Sequence, residues 1–224
     1  MSEALGNLLE RRSIRAYKPE QISEDELQSV LKAGLLAPSA MNRQPTAMLV
    51  VQDKDTIALL SKLNAKVMGK DIDPFYGAPT VIVVLADRNV PTYIEDGALV
   101  LGNLMNAANA IGLGSCWVNR AKEVFEMPEA REILRKAGIG DEYIGIGHCI
   151  LGYVCGDKPA THPTAACSEF DLNEKRCSSR WELHRFSIYH FALERVFAAR
   201  KTMRINSASI AIPIHSCAAS PTRL

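Results

Sequence analysis

The run Thr80-Val81-Ile82-Val83-Val84-Leu85 is apolar after its first residue and mostly β-branched. It lacks the alternation of a half-exposed strand and the length of a helix. It therefore reads as a strand covered on both faces. The neighbouring sequence holds elements that can cover it. Residues 94–111 carry Ala98, Leu99, Leu101, Leu104, Met105, Ala108 and Ile111 with few charges, a helix apolar over most of its circumference. Its small residues Gly97, Gly102, Ala107 and Ala108 permit close packing against another helix, and Gly112-Leu113-Gly114 ends it by C-cap glycine chemistry.

Three further strands follow from composition and length. Met48-Leu49-Val50-Val51 is one, Ser115-Cys116-Trp117-Val118 is a second, and residues 143–154 form a long strand containing glycines. The pair Gly145-x-Gly147 lies inside that last strand and no helix follows it, which excludes a dinucleotide-binding fingerprint. Leu5, Leu8 and Leu9 predict a helix over residues 3–12. Ser23-Glu24-Asp25-Glu26 is a capping box that opens a helix over 24–37, with Leu27, Val30, Leu31, Gly34 and Leu35 at helical spacing and Pro38 as its stop. Asp53 or Asp55 caps a helix running to about Met68, residues 69–79 form a loop, and Pro128 opens a helix to about Ala137.

The residues with the most chemistry are Arg11-Arg12-Ser13-Ile14-Arg15. Three guanidinium groups this close repel one another unless an anion or a set of carboxylates sits among them. Guanidinium presents a rigid fork of donors that matches phosphate and other planar acceptors. In an extended chain Arg11, Ser13 and Arg15 face one side. The plainer reading is a helix C-terminus dressed with cations. A second stretch, Ala37-Pro38-Ser39-Ala40-Met41-Asn42-Arg43-Gln44-Pro45, is a loop of small and polar side chains bounded by prolines. Pro38 and Ser39 also serve as a simple helix stop, and Asn42 as a turn residue.

With 47% hydrophobic residues and a net charge of +1, bulk charge implies neither a nucleic acid nor a membrane surface as partner. No apolar run reaches the ~18 residues of a membrane span. The first residues carry no basic and apolar leader. None of the six cysteines forms a C-x-x-C pair, so no zinc site is expected; free thiols and cytoplasmic residence are. After Pro159 the character changes. Four of the five histidines and three of the six cysteines lie there without ligand spacing. Only residues 186–200, as an amphipathic helix, and Ser209 to Pro213, as a short strand, suggest order.

These motifs together resemble the FMN-dependent nitroreductases. Arg11 to Tyr17 is similar to that family's opening motif, and Ala37 to Pro45 to its second. Ala78-Pro79 before the Val/Ile strand, Gly112 to Trp117 after the central helix, and Leu151-Gly152-Tyr153 with Lys158-Pro159 match in the same order. The likeness spans about residues 5–159, taken as one domain, with 160–224 as an atypical tail. It implies an α+β fold: a mixed, largely antiparallel sheet flanked by helices, in an intertwined homodimer with FMN at the interface. It also implies that Arg11 and Ser13 contact the FMN phosphate with Arg12 beside them, and that Arg15 reaches the N1/O2 edge of the ring. Pro38, Ser39, Ala40, Met41 and Asn42 would come from the other subunit, and Asn119 and Arg120 would present a backbone amide to flavin N5. The chemistry implied is hydride transfer from NAD(P)H through the flavin to a nitroaromatic or quinone, in a ping-pong scheme with no catalytic side chain. The alternative is a flavin-binding but non-catalytic protein, or a relative whose cofactor binding is lost through an altered C-terminus. Reductive dehalogenation or flavin-consuming chemistry ranks lower, because the extra lid segments of such relatives are not found in the sequence. Lys66 or Lys70 and Phe75 or Tyr76 fall in the variable region that borders the acceptor pocket. The family's second basic pair, expected after Lys158-Pro159, is replaced by Ala160-Thr161-His162-Pro163, and residues from about 164 onward read as a diverged or frameshifted tail. A family-like C-terminus in another reading frame of the source DNA would establish the frameshift.

Overall fold

A computed structural model describes residues 1–160. The expected helix over 186–200, the strand from Ser209 to Pro213 and the altered tail lie outside these residues. Four strands form one sheet: β1 (Thr46–Val51), β2 (Thr80–Asp87), β3 (Gly114–Val118) and β4 (Tyr143–Gly152). Their order is β1-β2-β4-β3, and every pairing is antiparallel. Ser13 adds a parallel bridge to Ser115 at the β3 edge, with the Ile14 N–H donating to the Ser115 carbonyl at 2.9 Å. The sheet is thus mixed and largely antiparallel, as expected.

Strand β2 is buried from Thr80 to Ala86. Its side chains alternate between two cores. Val81, Val83 and Leu85 pack with Leu60 and Leu63 of α3 (Lys54–Met68), Val124 and Phe125 of α5 (Ala121–Phe125), and Leu134 of α6 (Pro128–Lys136). Ile82 and Val84 pack with Leu27 and Val30 of α2 (Glu24–Leu35) and with Leu101 and Leu104 of α4 (Tyr93–Ala110). Each such burial contributes about 1.5–3 kcal/mol, so this strand outweighs any single surface contact in the domain.

The helix ends follow local chemistry. The Ser23 hydroxyl accepts from the Glu26 N–H at 3.3 Å, and the Glu26 carboxylate accepts from the Ser23 N–H at 2.8 Å. The Tyr153 hydroxyl, just beyond β4, donates to the same carboxylate at 2.7 Å. Bonds from Tyr153 and Ser23 hold the Glu26 carboxyl below its ordinary range. Ser23→Ala should therefore cost about 1 kcal/mol and lower Tm by a few degrees, read by circular dichroism. Helix α2 stops at Leu35, short of the expected 37, because the residues before Pro38 are steered out of helical geometry. Of the two candidate caps for α3, Asp53 holds the position. Gly112, at φ 83°, lets the chain leave α4, and the Leu113 N–H reaches back to the Ala108 carbonyl at 2.8 Å.

Two features differ from expectation. Of the small residues of α4, Ala107 and Ala108 pack in the cluster that holds Leu27 and Val30 of α2, while the two glycines do not form that seam. Gly97 backs onto Ile146 of β4, Gly102 faces no neighbour within 4 Å, and the glycine at the α2–α4 crossing is Gly34, against Leu104. The five-residue α5 went unread because it is too short to show a period. Helix α1 (Glu3–Glu10) buries nothing. Leu5, Leu8 and Leu9 point outward, while Asn7 ties the helix to α4 through the Asn106 carbonyl at 2.9 Å and Asn109 at 2.6 Å.

Candidate functional site

The arginine run lies extended along the β3 edge, which sorts its side chains. Ile14 turns into the core, 4% exposed. Arg12 caps the end of α1, its guanidinium donating to the Leu9 carbonyl at 2.8 Å and the Arg11 carbonyl at 2.7 Å. The plainer reading, a cation at a helix C-terminus, thus describes Arg12. Arg11 differs: its Nη1 is buried and has no hydrogen-bond partner among the described residues. A buried guanidinium donor left unpaired is costly, which marks this atom as a candidate for contact with an anion.

Arg15 lines a cleft of about 210 Å³ together with Met68, Tyr76, Trp117, Asn119 and Arg120. The parallel bridge at Ser13 brings Arg15 there, since it lays residues 11–15 beside the strand whose end carries Asn119 and Arg120. Of the variable-region residues, Tyr76 lines this cleft. Phe75 is buried, and Lys66 and Lys70 lie elsewhere.

Two residues missed from sequence, Asn64 and His148, bond to residues 118–120 at the cleft. Asn64, fully buried on α3, donates to the Asn119 carbonyl at 2.8 Å, and its Oδ1 accepts from Arg120 Nε at 3.1 Å. Arg120 itself sits at φ 71°, a left-handed conformation that costs a bulky residue free energy and persists because the surroundings hold it. An asparagine on the apolar face shared with Leu60 and Leu63 was the available signal.

His148 of β4 lies beneath the same loop, fully buried, with its ring 5.1 Å from that of Phe75 and 6.1 Å from that of Phe125. Its Nδ1 lies 3.2 Å from the Val118 carbonyl. A carbonyl can only accept, so Nδ1 carries the proton and Nε2 is the buried, unpartnered acceptor. Burial, ahead of the neighbouring Arg120 charge, pushes the imidazole down to about 4 from 6.5. The unfolded chain then binds the extra proton first. The stability held by neutral His148 is whole above pH 6.5 and is lost as pH falls toward about 4. The full loss is about 3 kcal/mol. Urea midpoints across that window should fall more steeply for the natural chain than for His148→Gln.

The second motif does not enter this cleft within one chain. Ala40–Asn42 form a 3-10 turn, with Met41 and Asn42 at φ 52° and Gln44 at φ 48°. The Ser39 hydroxyl accepts from the Gln44 N–H at 2.9 Å. The Ala40 N–H donates to the buried Asp96 at 2.9 Å, and Thr92 donates to the other carboxylate oxygen. So fixed, the turn exposes Met41, at 76%, with Pro38 and Asn42 beside it.

Among the described residues no group of three or more His, Cys, Asp or Glu is arranged to hold a metal, and no helix is long and apolar enough to cross a membrane. A family model described as the nitroreductase family matches residues 8–153. An Archaeoglobus fulgidus protein, provisionally named NADH dehydrogenase/NAD(P)H nitroreductase, is 33% identical over 163 residues, covering 70% of this chain and 89% of that protein. The crystal structure of a Bacteroides fragilis nitroreductase with bound FMN superposes with a TM-score of 0.67 at 26% identity, over 78% of this chain and all of that one. An FMN-bound nitroreductase from Desulfitobacterium hafniense gives 0.66 at 27% identity, over 73% of this chain and 95% of its own.

Proposed function

The chain belongs to the nitroreductase family, and from that premise we propose that it is an FMN-dependent oxidoreductase carrying hydride from NAD(P)H to a small electron-poor acceptor, a nitroaromatic or a quinone. The observation that carries the reading is the unpartnered, buried Nη1 of Arg11 in an extended run that ends with Arg15 in the cleft. These residues fit FMN. Arg11 and Ser13 would hold the phosphate, which suits a guanidinium fork and a hydroxyl, with Arg12 lending what its capping role leaves. Arg15 would stand at the N1/O2 edge of the ring, and the backbone of Asn119 and Arg120 at N5.

When bound, FMN supplies two-electron chemistry between the nicotinamide and the acceptor, which occupy its face in turn. The chain's own work is orientation and electrostatics. Arg15 places a fixed positive charge where the ring gains electrons. Asn64 holds the Asn119–Arg120 backbone in one conformation, and His148 fixes the Val118 carbonyl just before it.

The working unit in this reading is a homodimer. Leu5, Leu8 and Leu9 of α1 and Ile94 and Leu99 of α4 are exposed apolar side chains that a second copy would cover. The second copy would also bring Pro38, Ser39, Ala40, Met41 and Asn42 to the flavin. The domain comprises residues 5–159. The free Cys116, Cys149 and Cys155 support residence in the reducing cytoplasm.

The visible absorption spectrum of the purified protein, before and after NADH or NADPH under anaerobic conditions, tests the proposal. A flavin spectrum that bleaches is expected. A colourless protein that fails to take up added FMN would overturn it. A flavin spectrum unmoved by either nicotinamide would leave a flavin-binding, non-catalytic protein.

A further inference from the structure

The cleft carries two guanidinium groups, from Arg15 and Arg120, and among the described residues no carboxylate lines it. Among the described residues neither arginine has an acidic partner within 4 Å; the ion pairs there are Arg131 with Asp141 and Arg135 with Glu132. Arg15 is accounted for by the flavin edge. Arg120 is not, since only its backbone enters that reading. Its side chain is held from behind: Nε by Asn64 at 3.1 Å and Nη2 by the Met68 sulfur at 3.6 Å, a weak acceptor. Nη1 has no protein acceptor among the hydrogen bonds of the described residues. The rest of the wall mixes apolar and aromatic side chains, among them Ile72, Pro74, Tyr76 and Trp117, with the polar Asn119. With the flavin ring at Arg15 and at the Asn119–Arg120 backbone, the free end of the Arg120 guanidinium would stand beside the ring's N5 edge, where a fixed cation suits an acceptor that carries an acid group.

We propose that Arg120 is a specificity-determining residue, and that the acceptors this protein prefers are flat aromatic compounds bearing a carboxylate or sulfonate. The proposal rests on the flavin-oxidoreductase reading and adds the acceptor's charge to it. Asn64 makes the recognition possible. It fixes both the guanidinium and the left-handed backbone of Arg120, so little conformational freedom is lost on binding. For a nitro acceptor the first step consumes NAD(P)H, one proton and the nitroarene, and yields NAD(P)+, the nitrosoarene and water. The acid group takes no part in that balance, so its effect is one of binding alone.

The test compares para-nitrobenzoate with its neutral isostere para-nitrobenzamide, using the flavin-loaded protein. The kcat/KM ratio should favour the benzoate by about 10-fold, the scale of one charge-assisted hydrogen bond. It should fall to near unity in Arg120→Gln, whatever that variant's overall rate, and be partly kept in Arg120→Lys. Calorimetric titration with benzoate and benzamide gives a second readout that needs no turnover, and benzoate should bind more tightly. Equal ratios in the natural protein, a preference that survives Arg120→Gln, or loss of FMN affinity in that variant with the ratio unchanged would each overturn the proposal. Failure of the underlying reading looks different: no flavin spectrum and no reduction of either compound. In that case the calorimetric comparison still decides whether the cleft selects the acid.

Discussion

Arg11→Ala should weaken FMN binding by about 100-fold, the upper end of what one charge-assisted phosphate contact is worth. The size follows from the site. The Nη1 of Arg11 is already buried and unpartnered, so the desolvation cost is met in the folded chain and an incoming phosphate recovers the full hydrogen bond. Arg11→Lys should retain part of the affinity, since it keeps the charge and loses the fork. The control that isolates the phosphate is riboflavin. The natural chain should prefer FMN over riboflavin, and Arg11→Ala should bind the two nearly alike. Fluorescence titration of each flavin measures this. An unchanged preference for FMN in the variant would remove Arg11 from the phosphate site.

Gly145→Val should destabilise the domain by about 3 kcal/mol or more and lower Tm by roughly 10 °C. A Cβ at Gly145 would lie 2.4 Å from the Ala121 carbonyl carbon and oxygen, which are backbone and cannot swing aside. The strand carries a bulge at this point. Val84 pairs with Gly147 and Leu85 with Gly145, so Ile146 is the extra residue. At Gly147 a Cβ would meet Trp117 Nε1 at 2.5 Å. The two glycines thus let β4 pass under α5 and under the Trp117 wall of the cleft. The valine should push α5 outward together with Arg120 at its head, so flavin affinity should fall along with Tm. A Tm within a degree or two of the natural protein would show that α5 moves freely and that the close approach is incidental.

The alternation and runs along the chain were enough to place β1 to β4, α2, α3, α4 and α6, because each either buries a periodic face or carries a strong terminal signal. Ser23 with Glu26, Asp53, Gly112 and Pro128 are short-range signals, settled within one helical turn of their own residues. The two motif stretches were also legible as unusual. Their division of labour was not. Arg12 and Arg11 are neighbours of one residue type, yet one caps a helix and the other keeps a buried donor unpaired. Only the path of the chain along β3 separates them.

Asn64 and His148 were invisible for a related reason. Each is one polar residue in an apolar element, and its role lies in partners 30 to 56 residues away in sequence. Glycines 145 and 147 could be cleared of a nucleotide-binding role from their setting in a strand, but their use, the close approach of α5 and Trp117, is a distance between elements. By itself the sequence determined the layers, the caps and the cationic character of residues 11–15, all set by local propensity and by the period of apolar residues. The tertiary structure alone decided which arginine faces the cleft and which asparagine holds Arg120 in its left-handed turn. It also decided that the turn at Ala40–Asn42 stands apart from the cleft of its own chain, since hydrogen bonds and packing between distant segments carry no periodic mark in either segment.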